Sequence, residues 1–267
     1  MITATELIKK LEAWSDTTGD YSKTCDTIKC GDPDKPVARV AISMFATPDV
    51  IRQATRWRAD MLIVHEPSFY SHLDVRLEND PVTQAKEQLL KDAGLVLYRF
   101  HDHPHRKAFD MICEGELKAL GLPYHNFANA HWAVNNIELD EPITPRQLGR
   151  IMQERLNIAQ PKICGTMDQL CSRISLCFGT PGGVFEELRR DDIDIVLTGE
   201  ACEWMLGEYA RDAAQLGFCK ALIIMGHIGS ERDGMKLLAQ KLPEIQPDLT
   251  VRYFECGEVY SYPRSYN

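Results

Sequence analysis

Three apolar runs in this chain break off at a histidine. Met61 to Val64 leads into His65 and Glu66, Leu95 to Phe100 into His101, and Ala221 to Gly226 into His227. Runs this short, closed by breakers such as Pro67, read as buried strands. Open α/β sheets place ligands at the carboxyl ends of their strands. Further donors follow closely: His103 and His105 after His101, and Glu231 one helical turn after His227. Histidines with carboxylates, and no thiolate beside them in sequence, suit Zn²⁺, Fe²⁺ or Mn²⁺ better than an iron–sulfur cluster. Each residue has an ordinary alternative. His65 could be a hydrogen-bonded strand end, the histidines of 101–105 a solvated loop, and Glu231 an acid favoured by a helix dipole. Those alternatives must hold together at three strand ends, which favours one shared metal site.

Other chemistries are less well supported. There is no GxSxG, and none of the nine cysteines adjoins these histidines in sequence. Nothing singles out a glycosidase pair among 39 acidic residues. A formal charge of -9 argues against nucleic acid, because the densest basic stretch, Arg99 to Lys107, holds only three basic residues. The cysteines form no CxxC pair, and Cys25 and Cys30 read as ordinary thiols, so a reducing, cytoplasmic setting is expected. No apolar run approaches the ~20 residues needed to cross a bilayer, so a soluble protein is expected. The amino terminus reads as a helix capped by Thr3 and Glu6, not as a signal peptide.

The elements that must position these donors alternate. Ser15 to Pro36 reads as loop, Val37 to Ser43 as a strand, and Thr47-Pro48 as a helix start ahead of the His65 strand. Pro81 to Ala93 reads as a helix stopped by Gly94, immediately before the His101 strand. Pro104 predicts an extended loop over 101–105, and helical spacing resumes from Lys107 to Leu120. His125 and His131 flank a polar connection, and Asn135 to Pro142 reads as a boundary between lobes. A helix after Thr144, strands at Arg173 to Phe178 and Ile193 to Leu197, and a helix from Glu200 to Leu216 follow. The His227 strand, a helix from about Ser230 to Leu242 and a last strand, Leu249 to Glu255, complete the chain. The expected class is α/β: a two-lobed subunit with mixed sheets flanked by helices, a single unit over 1–267 with lobes near 1–135 and 136–267. The two halves could be distant copies of one strand and helix unit. Gly179 to Gly183 resembles a phosphate-binding turn only weakly, since the lysine and hydroxyl of a Walker loop are missing, and a plain strand-to-helix turn is the better reading.

Taken together, Gly31-Asp32-Pro33-Asp34, Ala46-Thr47-Pro48-Asp49-Val50-Ile51, Val64-His65-Glu66-Pro67 and His101 resemble motifs of the NIF3 family. The resemblance continues through Phe178 to Gly183, Leu197-Thr198-Gly199-Glu200, and Gly226-His227 with Glu231-Arg232. It implies a two-lobed α/β subunit, a ring-shaped homohexamer and two metal ions in a pocket facing the ring interior. Members of the family usually carry a second histidine where this chain has Glu66, and an aspartate where it has His105. The set implied here is His65, Glu66, His105, His227 and Glu231, which keeps three imidazoles and two carboxylates. Asp102 is the reserve candidate from the 101–105 segment.

The leading expectation is a hydrolase with one or two divalent ions per subunit, acting on a small molecule. The resemblance makes that molecule a purine nucleotide, as in a GTP cyclohydrolase. His101 or His103, outside the ligand set, would be the general acid or base. The alternative is a metal-binding hexameric scaffold or metal chaperone without turnover.

Overall fold

The chain folds into two compact units, one formed by Met1–Ile112 with Gly234–Asn267 and the other by Cys113–Asp233. The computed structural model describes residues 1–15, 19–127 and 134–262, so His131 lies outside the described residues.

In the first unit, strands Thr250–Tyr253, Arg39–Ser43, Met61–Val64, Val96–Arg99 and Ile28–Cys30 form a sheet in that order. The first four run parallel and the last antiparallel. Both central strands are buried throughout, which is why they read as continuous apolar runs without alternation. Helix Pro48–Arg56 starts where Thr47 accepts the Val50 amide, with proline at the position that needs no N–H. It packs Val50, Ile51 and Ala54 with Leu62, Val64, Leu90 and Leu97 in one core cluster. Helix Pro81–Ala93 ends at Gly94, whose φ of 60° is the left-handed stop that lets the chain turn into the next strand. Parallel register sets Val64 beside Arg99, so His65 and Phe100-His101 emerge next to one another.

The second unit repeats the device in a six-stranded sheet. The order is Tyr124–Phe127, Asn135–Ile143, Cys171–Cys177, Ile195–Thr198, Ala221–Ile224 and Lys162–Gly165. Its three middle strands are parallel, with Cys177 beside Thr198 and Thr198 beside Ile224. Gly179, Glu200 and His227 therefore follow three adjacent strand ends. Helix Pro145–Arg155 carries the reciprocal cap between Thr144 and Gln147.

Four expectations change. Asn135–Ile143 is a strand paired on both sides, not a boundary between lobes, and the two compact units divide at Ile112/Cys113 and Asp233/Gly234. Residues expected as loop before Pro36 include the edge strand Ile28–Cys30. The helix expected from Glu200 starts later, as a π-helical turn over Glu203–Gly207 followed by Glu208–Gln215. The 101–105 segment is a short helix, Asp102–His105, despite Pro104. The bias against helix before proline is overcome by Asp26, whose carboxylate accepts the amides of His101, Asp102 and His103 at 2.7, 2.9 and 2.9 Å.

Candidate metal centre

Three histidines of the first unit share one hydrogen-bonding pattern. His65 Nδ1 donates to the Phe100 carbonyl at 3.1 Å, His101 Nδ1 to Asp102 at 3.0 Å, and His105 Nδ1 to Asp110 at 2.8 Å. An acceptor on Nδ1 fixes the tautomer that leaves the Nε2 lone pair available, which is how metal-ligating histidines are oriented. His65 Nε2 and His105 Nε2 lie 3.2 Å apart. The two nitrogens are close enough for one cation to be held by both. Ligand atoms of His65, His101 and His105 all lie within 4.8 Å of one another, so the donors fit a divalent ion. Burial, with His101 and His105 beside it, holds His65 well below the usual histidine range and keeps it neutral.

The rings are not equivalent. His101 stacks on His65 with centroids 4.6 Å apart and planes 28° from parallel, whereas His105 is tilted 60° to His65. Asp102, behind His101, also accepts from Thr24 Oγ1 at 2.8 Å and the Cys25 amide at 3.2 Å. Burial alone would raise the Asp102 carboxyl, but the bonds from His101 and Thr24 outweigh it and hold it well below the usual range. His101 and Asp102 thus make a fixed imidazole–carboxylate pair beside His65. His103 points its chemistry elsewhere: Nδ1 donates to buried Asp26 at 2.6 Å and the ring stacks on Tyr21 at 3.8 Å. Glu66 is buried, with Oε1 4.0 Å from His65 Nε2.

Cys25, set aside from sequence, comes close to this cluster: its Sγ groups with His101 and Asp102 and lies 3.5 Å from Asp102 Oδ1. Burial pushes its thiol far up, so without an ion beside it the thiol keeps its proton at neutral pH. Asp26 and Asp110 escaped sequence reading altogether. The only local signal for Asp110 was its position one residue before helix Met111–Leu120, where its Oδ1 also accepts the Ile112 amide at 2.7 Å.

In the second unit His227 opens helix His227–Ile245. Its Nδ1 donates to Glu200 at 2.6 Å and its Nε2 lies 3.3 Å from Glu231 Oε2, the residue one turn later. Gly179 makes room for this carboxylate, since a Cβ there would come within 2.4 Å of Glu231 Oε1. The Gly179 amide donates to Ser230 Oγ at 3.0 Å, so it is not directed at an anion. Next to Glu200 lies a cavity of about 600 Å³ lined by two carboxylates, Glu186 and Glu200, and by Phe185, Met205 and Leu206, with no basic side chain.

Residues 2–257 match the Duf34/NIF3 (NGG1p interacting factor 3) family. The chain belongs to this family. A curated relative from Clostridium acetobutylicum, named GTP cyclohydrolase 1 type 2 homolog, is 23% identical over 219 residues, 79% of each chain. The solved structure of protein ybgI, described as of unknown function, superposes with a TM-score of 0.77 at 21% identity over 96% of this chain and 99% of that one. A Bacillus cereus protein related to NIF3 gives 0.75 at 12% identity, over 98% and 99%. The expected α/β class with mixed sheets flanked by helices is therefore that of the family. No helix among the described residues is long and apolar enough to cross a membrane.

Proposed function

We propose that this NIF3-family protein is a metal-dependent hydrolase of the cytoplasm. The observation that carries it is the 3.2 Å approach of His65 Nε2 and His105 Nε2, two imidazoles whose Nδ1 atoms are each held by an oxygen acceptor. His65, Glu66 and His105 would hold an ion in the first unit, and His227 and Glu231 are the donors that the family resemblance implies in the second. Zinc, iron and manganese all suit this donor set. A bound dication supplies Lewis acidity and activates water. His101, oriented by Asp102, carries a proton at Nε2 to or from the reacting group. His103 holds the Asp102–His105 turn through Asp26 and takes no part in proton transfer.

The names of the curated relatives support a purine nucleotide as substrate class. The cavity beside Glu200 narrows this: carboxylates and Phe185 suit the N–H donors and the face of a base, whereas a phosphate chain would meet like charge there. Exposed Tyr70, Leu73, Val75 and Leu77 support assembly into a homo-oligomer, with six subunits as the expected number, which light scattering tests.

The deciding experiment is elemental analysis of the purified protein, His65→Ala and His227→Ala, followed by a hydrolase screen on the metal-loaded protein. Loss of metal in both variants with turnover in the wild type is the expected result. Equal metal content in all three sinks the metal reading. Metal binding with no turnover on any nucleotide favours the carrier or scaffold.

A further inference from the structure

Arg99, the last residue of its strand, heads the fully buried side chains in size. A guanidinium cannot shed its charge, so burying one demands partners. Its Nε donates to the His65 carbonyl at 3.0 Å and its Nη1 to the His72 carbonyl. Nη1 also lies 3.9 Å from Asp74, but Asp74 is already paired with Lys29 at 3.0 Å and accepts the amides of Ser68 and Phe69. That leaves Nη2, which makes no hydrogen bond among the described residues and lies 3.8 Å from Glu66 Oε2. The two oxygens of Glu66 thus face different ways: Oε2 toward Arg99, Oε1 toward His65.

We infer that Arg99 is a positioning residue that makes Glu66 act as a neutral donor, balancing its carboxylate and holding Oε2 so that Oε1 is presented beside His65. This rests on the reading of His65 and Glu66 as metal donors. At this strand end a carboxylate stands against a guanidinium, and the two charges cancel. The guanidinium then offsets the one charged group among the first unit's donors His65, Glu66 and His105. Two consequences follow. Neutralising Glu66 alone leaves a buried cation facing the metal, and removing Arg99 as well relieves it.

The test measures Co²⁺ affinity and the Co²⁺ absorption spectrum of the full chain by titration. The proteins compared are wild type, Glu66→Gln, Glu66→His, Arg99→Lys, the double variant Glu66→Gln with Arg99→Met, and His65→Ala as control. Glu66→Gln is expected to lose about 100-fold in affinity and the double variant to regain about 10-fold of it, the range over which residues behind metal ligands act. Glu66→His restores a donor but not the charge, so it should bind as weakly as Glu66→Gln. Arg99→Lys keeps the charge without the fork, so it should keep affinity within a few-fold while shifting the spectrum as Glu66 turns. A double variant no tighter than Glu66→Gln overturns the inference. Should the double variant not fold, Glu66→His binding like wild type overturns it equally. If His65→Ala also binds like wild type, the metal reading itself has failed, which is a different result.

Discussion

Both units deliver their site side chains from the ends of adjacent parallel strands, two strands in the first unit and three in the second, yet they dress those ends with opposite chemistry. In the first unit, His65, His101 and His105 have their Nδ1 atoms tied to a carbonyl and two carboxylates, with His65 fully buried and the other two rings partly exposed. In the second, one imidazole, His227, stands between two carboxylates, and Glu200 behind it is 58% exposed at its side chain. A shared backbone device therefore delivers side chains to one edge without dictating their type. What differs is the segment after the strand: a helical turn pinned by Asp26 in one unit, the open start of a long helix in the other.

If rigidity of the first unit's cluster comes from Asp26, removing that carboxylate should have the largest effect. Asp26→Ala strips three amides and the His103 ring of their acceptor, and a cost of roughly 3 kcal/mol or more is expected from the groups left buried and unpaired. Denaturant unfolding measures it. A loss under 1 kcal/mol would show that the turn holds itself. In the second unit the matching weak point is Gly179, with φ of +64° and Glu231 filling the space where a side chain would go. Gly179→Ala should cost about 1–3 kcal/mol of strain and lower metal content through Glu231, and unchanged melting and metal content would remove that loop from the site.

The residues behind the histidines sharpen the contrast at smaller scale. Asp110→Asn should weaken metal binding about 10–100-fold by releasing His105, while Glu200→Gln, replacing a solvent-screened partner, should change it by only a few-fold. Equal effects in a zinc competition assay would mean that the two units anchor their histidines equally firmly.

The pH dependence of stability should have opposite signs at two buried acids. Burial, reinforced by Asp233, pushes the Glu116 carboxyl of the second unit well above its usual range. As pH rises above about 4.3 the unfolded chain loses this proton while the folded chain keeps it, so stability falls with rising pH up to the folded pKa. Burial alone would raise Asp26 too, but its bonds from His103 and the turn amides win and hold it low. Its contribution is present above about 3.9 and is lost as pH falls through the folded pKa. Glu116→Gln should therefore stabilise the metal-free protein by about 1 kcal/mol at pH 8 and not at pH 4, seen as a flatter melting profile against pH. A gain at pH 4 as large as at pH 8 would contradict the buried-acid account.

What the sequence determined by itself was everything governed by neighbours a few residues away. The caps at Thr3, Thr47 and Thr144, the glycine stop at Gly94 and the apolar runs ending in His65, His101 and His227 all obey rules that act within one turn or one strand. Even there, Pro104 misled, because its local bias was opposed by an acceptor 75 to 77 residues earlier. Only the tertiary structure could show that Asp26 builds the turn, that Asp110 and the Phe100 carbonyl select tautomers, and that Arg99 sits against Glu66. Each of these depends on which strands lie side by side and in what register. Parallel pairing of Met61–Val64 with Val96–Arg99 brings a cation on one strand end against a carboxylate beyond the other. A register shift of one residue would turn Arg99 to the opposite face of the sheet and leave Glu66 without it, and no spacing along the chain records that choice.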